Sequence, residues 1–251
     1  MPVITLLTDF GTHDSYVAEM QAVLLTSVPG CTIVDVTHDV SPGDRRSARY
    51  LLSRTWHRFP EGSVHIAVVD PGVGTARRAL AAEARGHSFV GPDNGLLSPI
   101  LPDAAVVELA VPPEASTTFH GRDVFAPAAA RLANGESLSV LGPRVEDAVY
   151  VPPPVPRDDA TGVIGEVVYV DRFGTLISNV PGAVFQGCTG VVVGGEFTAP
   201  PGRTFRDVER GALVAYVGSG GTVEIAARDR SASQATGAGM GAAVRVLGSS
   251  L

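Results

Sequence analysis

The chain reads as an α/β N-terminal domain built on a mostly parallel sheet, followed by a small all-β, barrel-like C-terminal domain. Three observations predict this. Apolar strand runs alternate with helix-periodic segments up to about residue 150, the signature of parallel strands joined by crossover helices. Four of the five residues from Pro152 to Pro156 are proline, which cannot continue a helix or a central strand and marks a stiff connector. Beyond it the helical periodicity stops, and short β-rich runs follow one another between glycine turns. The expected organisation is therefore 1–150, a connector over 151–160, and 161–251.

In the first domain, Val3 to Thr8 is a strand that ends at Asp9 in TDFGTHDSY. Val17, Met20, Val23 and Leu24 recur at helical spacing, which predicts a helix from Ser15 to about Thr26, capped by Asp14 or Ser15 and stopped by Pro29 and Gly30. A strand over Thr32 to Thr37 and a helix over about Arg45 to Arg58, with Ala48, Leu51, Leu52 and Trp56 on one side, come next. The β-branched run Val64 to Val69 then stops at Asp70, followed by PGVGTARR. Asp9 and Asp70 both stand at the carboxyl end of a strand, where open α/β sheets bind ligands. The glycines after Asp70 permit a tight turn, and Arg77 and Arg78 bring positive charge back towards it. Short strands over 79–84 and 88–90 lead into GPDNGLLSP, where Asp93, Asn94 and Gly95 read as a turn. After a strand over 106–110, His120 and Gly121 precede a helix of about Asp123 to Ala133, a start that can hold an anion or a nucleophile.

In the second domain the runs GVIGEVVYVD, TLISNV, GVVVGG, ALVAYV, GTVEIAA and AAVRVL are the strands. DRFGTLISN places Asp171, Phe173, Thr175 and Asn179 on a turn and the strand after it, and GSGGTVEIA carries Ser219 and Glu224. Taken singly, each of these residues has an ordinary structural use in a turn, a core or a surface ion pair.

Composition narrows the function. With 45% hydrophobic and 18% charged residues, 251 residues can bury a sizeable core. The formal charge of −7 leaves no basic stripe for nucleic-acid phosphates. The sequence contains neither a long apolar span nor a signal-like start, so the expectation is a cytoplasmic protein without a membrane partner. Two distant cysteines, Cys31 and Cys188, read as buried free thiols, and the six histidines show no metal-ligand spacing, so no metal is expected.

Six segments, TDFGTHDSY, VVDPGVGTARR, PDNGLL, FHGRD, DRFGTLISN and GSGGTVEIA, occur in an order that resembles the S-adenosylmethionine hydroxide adenosyltransferases, the adenosine-forming S-adenosylmethionine hydrolases, whose relatives include fluorinase and chlorinase. The resemblance spans Asp9 to Glu224. It implies hydrolysis of S-adenosyl-L-methionine to adenosine and L-methionine without a cofactor, in a homotrimer with sites between subunits. It implies a hydrolytic triad of Asp70, Arg77 and His120, a ribose-binding Asp9, and an Asp171 that meets the methionine ammonium. Ser219 falls where relatives bind the methionine carboxylate, and Phe173 and Phe205 where aromatic residues line the nucleoside pocket. Asp14, Asn94, Gly121, Thr175, Asn179 and Glu224 complete the expected substrate-binding set. Thr175 stands where many relatives have asparagine, and near Ala227 and Arg228 an adenine contact would be made by backbone.

The chemistry suits these residues. Methionine is a neutral leaving group on a sulfonium, so water can displace it from C5′ if the protein aligns the water with the C–S bond and excludes competing solvent. Asp70 and His120 can position that water, with Arg77 fixing Asp70. Two rivals are a halide-using adenosyltransferase, which a negatively charged Asp70 disfavours by repelling the anion, and a non-catalytic S-adenosylmethionine or adenosine sensor. A plain structural trimer would leave the strand-end carboxylates unused.

Overall fold

The computed structural model describes residues 1–248 and 250–251, and the chain divides into two compact units, Met1–Pro152 and Pro153–Leu251. In the first, a six-stranded sheet has the order β2-β1-β3-β5-β4-β6, formed by β1 (Val3–Thr8), β2 (Thr32–Thr37), β3 (Val64–Val68), β4 (Ala79–Ala84), β5 (His87–Pro92) and β6 (Ala105–Leu109). The first four strands of that order are parallel, and β4 runs antiparallel to both of its neighbours.

β3 is buried at every residue because both faces of the sheet are covered. Ile4, Leu6, Val64, Ile66 and Val68 face one core with Met20 and Leu24 of α1 (Tyr16–Ser27) and Ala126 and Ala129 of α3 (Ala126–Ala133). Leu7, Ala67 and Val69 face the other core with Ala48 and Leu52 of α2 (Arg45–Thr55). The chain leaves β1 for β2 on one side and later enters β3 on the other, so the strand order reverses at β1 and β3. Asp9 and Asp70 follow the paired ends Thr8 and Val68 of these two strands, at the crevice where such sheets take ligands.

Near the other end of β3, His65 is 1% exposed and joined to Thr5 Oγ1 at 2.8 Å and to His87 Nδ1 at 3.1 Å, with its ring stacked on Phe89. Burial, then the neighbouring His87, lowers its pKa to about 3.

The C-terminal unit contains eight antiparallel strands: β7 (Arg157–Asp159), β8 (Gly162–Val170), β9 (Leu176–Pro181), β10 (Gly190–Val193), β11 (Phe197–Ala199), β12 (Leu213–Val217), β13 (Thr222–Ala227) and β14 (Ala243–Leu247). The order is β11-β10-β14-β8-β9-β13-β12, with β7 paired to β8, and a bridge between Pro201 and Ala215 nearly closes the barrel. Val163, Val167, Leu176, Val191, Val223, Ile225, Val244 and Val246 fill its core.

Several local expectations change. Ser15, not Asp14, is the N-cap of α1, and its hydroxyl donates to Glu19 rather than capping the backbone. α2 ends at Thr55, and the last expected helical turn, Trp56–Arg58, tightens to a 3₁₀ turn. The helix expected from Asp123 starts as a π-helical turn, Gly121–Phe125, before α3. Residues 157–159, assigned by composition to the connector, form the edge strand β7. The second unit also holds one short helix, α4 (Ala232–Thr236), capped by Ser231 and ended by Gly237 at φ +67°. A five-residue helix is too short to show periodicity. Cys188 is buried, whereas Cys31 is only half-buried.

Candidate active site

The loop after β3 is shaped by Gly74, whose φ is +74° and whose added Cβ would stand 2.2 Å from the Thr117 carbonyl oxygen. Only glycine allows that approach. It brings residues 70–77 against the segment leading to His120.

There Arg77 Nε donates to both Asp70 oxygens, at 3.1 and 2.9 Å, and Arg77 Nη2 donates to Asp70 Oδ2 as well. Nη2 also lies 2.9 Å from His120 Nδ1. A guanidinium has no acceptor, so Nδ1 must accept and the neutral imidazole carries its proton on Nε2. The Asp70 and Arg77 side chains are 4% and 9% exposed. The guanidinium lies over the Phe125 ring, 5.4 Å from its centroid, and its Nη1 is buried without a partner among the described residues. Burial, and then the Arg77 charge, hold His120 below the ordinary imidazole value of 6.5. The arrangement thus presents imidazole and guanidinium N–H donors beside a carboxylate, a combination that can bind and orient a water oxygen.

Arg78, the neighbouring candidate, is used elsewhere: it pairs with Asp93 and Asp147. The structure therefore assigns the Asp70 contact to Arg77 alone. Because both Asp70 oxygens are matched by Arg77, the repulsion that this carboxylate would exert on a halide is offset.

Asp9 Oδ2 accepts from the Gly43 N–H at 2.8 Å. Asn94 Nδ2 donates to the Val69 carbonyl, tying its turn to the end of β3. Gly121 lies where a Cβ would come 3.1 Å from Met20 Sδ and 3.2 Å from the Phe10 ring. Asp14 is exposed in the loop before α1. Phe10, Tyr16 and Phe119 pack edge to face around this end of the sheet, a cluster that no strand or helix pattern signalled.

In the barrel, Asp171 Oδ1 accepts the N–H groups of Phe173 and Thr175 at 2.9 and 2.8 Å, which fixes the turn between β8 and β9. Phe173 is 80% exposed and Phe205 49%, whereas Thr175 is buried. Ser219 is exposed on the glycine turn between β12 and β13. Tyr216 and Glu224 are direct cross-strand partners. Burial first, and then the Glu224 charge, raise the Tyr216 pKa. A Cβ at Gly218 would overlap Glu224, so the glycine makes room for that carboxylate. Sequence reading missed Tyr216, because the β12–β13 register that sets it opposite Glu224 is fixed only in the folded chain. Asn179 spends its amide on structure: Oδ1 accepts from Glu166 N and Nδ2 donates to the Pro154 carbonyl.

An α/β unit carrying a buried carboxylate, guanidinium and imidazole at its switch point, followed by an antiparallel barrel with exposed aromatic and polar turns, defines a two-unit class of small-molecule enzyme. Residues 4–142 match the N-terminal domain of the SAM hydroxide adenosyltransferases and residues 165–245 match their C-terminal domain. The chain belongs to the SAM hydroxide adenosyltransferase family. It is 44% identical to an (R)-S-adenosyl-L-methionine hydrolase of Thermus thermophilus, over 98% of this chain and 100% of that protein. It is 43% identical to another of Salinispora arenicola, over 90% of each chain. A fluorinase of an Actinoplanes species is more distant, at 31% identity over 71% of this chain and 72% of that one. A crystal structure of an uncharacterized conserved protein from Thermotoga maritima is similar at a TM-score of 0.89 and 34% identity, covering 98% of this chain and 100% of that chain.

Proposed function

We propose that this protein hydrolyses S-adenosyl-L-methionine, in the (R) form for which its relatives are named, to adenosine and L-methionine. The observation that carries this reading is the Asp70–Arg77–His120 chain at the β1/β3 switch point. Water attacks C5′ in line with sulfur. The C5′–O bond forms as the C5′–S bond breaks, its electron pair neutralises the sulfonium, and the protonated 5′ oxygen then loses its extra proton to bulk water.

His120 offers its Nε2–H to the water oxygen. Its Nδ1 is taken by Arg77, so the imidazole orients the water rather than deprotonating it. Arg77 locks Asp70 in place and balances its charge. Asp9 holds the ribose hydroxyls. Asp171 and Ser219 take the methionine ammonium and carboxylate, with Phe173 and Phe205 against the nucleoside. Asp14, Asn94, Gly121, Thr175 and Glu224 are assigned to the remaining substrate contacts, and Asn179 to their support. The sulfonium is already an activated leaving group, so the reaction needs no metal or cofactor.

In this reading the protein works in the cytoplasm as a homotrimer, with the N-terminal unit of one protomer and the C-terminal unit of the next each supplying part of a site. Among the described residues no helix is long and apolar enough to cross a membrane.

The test is to incubate purified protein with the substrate in ¹⁸O-labelled water, in halide-free and in chloride-rich buffer, and to follow products by chromatography and mass spectrometry. Adenosine labelled at its 5′ oxygen, with methionine, is expected in both buffers. A 5′-chloro product, or binding without turnover, would overturn the proposal.

A further inference from the structure

We propose that His38 is a positioning residue for Asp9 and, through it, for the ribose; this rests on the role given to Asp9 above. His38 is the first residue after β2, and the β1–β2 register shifts between Leu6 and Leu7, so that Leu6 pairs with Asp35 but Leu7 with Thr37. Such irregularities re-aim side chains at strand ends. Here the imidazole, 4% exposed, meets Thr8, which is fully buried, through a 2.8 Å hydrogen bond between Nδ1 and Thr8 Oγ1.

Both residues then grip the turn that carries Asp9. Thr8 Oγ1 accepts the Phe10 N–H at 3.2 Å, and the His38 carbonyl accepts the Gly11 N–H at 2.8 Å. Gly43, from the same segment, donates to Asp9 Oδ2. The 8–11 turn is thereby held from residues 38–43 on both sides of Asp9.

The other side of the ring faces a carboxylate. His38 Nε2 stands 3.2 Å from Asp35 Oδ1, without hydrogen-bond alignment, and Gln21 Nε2 donates to both Asp35 oxygens. A buried polar pair costs free energy unless its groups are partnered, and an apolar pair would fill the space as well. What the polar pair adds is a fixed direction for the Asp9 backbone.

The test compares S-adenosyl-L-methionine with its 2′,3′-dideoxyribose analogue, which offers Asp9 no hydroxyl. His38→Leu, Thr8→Val, His38→Asn, Asp9→Ala and the Asp9→Ala/His38→Leu double variant are each assayed on both. Misplacing a binding group by about 1 Å can cost up to about 100-fold, so His38→Leu is expected to lower kcat/KM for the natural substrate by about 10- to 100-fold and for the analogue by less than about 3-fold. Asp9→Ala should discriminate in the same way, the double variant should be no worse than Asp9→Ala, and His38→Asn, whose amide can still meet Thr8, should recover most of the loss.

Equal losses on both substrates for His38→Leu, with Asp9→Ala still discriminating, would reduce His38 to a structural residue and overturn the proposal. Equal losses for Asp9→Ala itself would overturn the ribose assignment, and the proposal with it. Thr8→Val carries the same comparison should His38→Leu fail to fold.

Discussion

The strand-end triad and the barrel turns are built on opposite principles. Asp70, Arg77 and His120 are buried and bound to one another before any substrate arrives, so their geometry is set during folding. Phe173, Phe205 and Ser219 stand exposed, and Asp171 is held by its own turn. Groups that must act on a developing bond gain from being fixed and desolvated in advance. Groups that recognise a ligand can remain exposed and be covered when it binds. The two regions should therefore fail differently when altered.

The largest effect is expected at Arg77. Arg77→Met leaves the buried Asp70 carboxylate unpaired, so stability should fall by about 3–5 kcal/mol and kcat by about 1,000-fold or more. Combining it with Asp70→Leu should restore much of the melting temperature and none of the activity. Recovery of both would make the pair an ordinary salt bridge.

Acid should destabilise the N-terminal unit next. His65 titrates at about 3 in the folded chain against 6.5 unfolded, so the unfolded state binds the extra proton between these values. Its contribution to stability is complete above pH 6.5 and is lost as pH falls towards 3, on the order of a few kcal/mol. Denaturation curves at pH 7 and pH 4.5 should show the loss, and His65→Leu should flatten it.

In the proposed mechanism His120 acts in its neutral form, and burial together with Arg77 lowers the imidazole pKa. The acid limb of kcat/KM, which reports the free enzyme, should consequently lie below pH 6.5. His120→Gln should remove that limb and reduce kcat by about 100-fold.

In the barrel, Phe173→Ala and Ser219→Ala should raise KM by about 10-fold with kcat changed less than about 3-fold. Their melting temperatures should not move, since both side chains are exposed. The smallest effect on turnover belongs to Asn179→Ala. Freeing the Glu166 N–H and the Pro154 carbonyl should cost about 1–2 kcal/mol of stability while activity per folded molecule stays within about twofold. A KM change without a stability change would return Asn179 to the ligand contacts.

Strand runs and their terminal carboxylates were legible because each depends on a few consecutive residues: a β-branched run stopped by Asp70 and glycines can be read locally. The π-helical turn at Gly121 was not, because its hydrogen-bond spacing leaves little mark in an apolar pattern. β7 and β11 escaped because three-residue strands carry no period. The family resemblance singled out Arg77, but residue pattern alone left it equivalent to Arg78, since adjacent residues can face opposite ways and only their partners decide.

By itself the sequence determined the two-part architecture, the carboxylates at the strand ends and, through six ordered motifs, the family. Those features follow from hydrophobic periodicity, proline's missing N–H and glycine's backbone freedom, which act over short stretches. Tertiary structure alone decided that Asp9 and Asp70 share a switch point and that Arg77 reaches His120, 43 positions further along the chain. It likewise placed Tyr216 on Glu224 and His38 on Thr8. These contacts depend on strand order, register and close backbone approach, which the folded chain fixes as a whole.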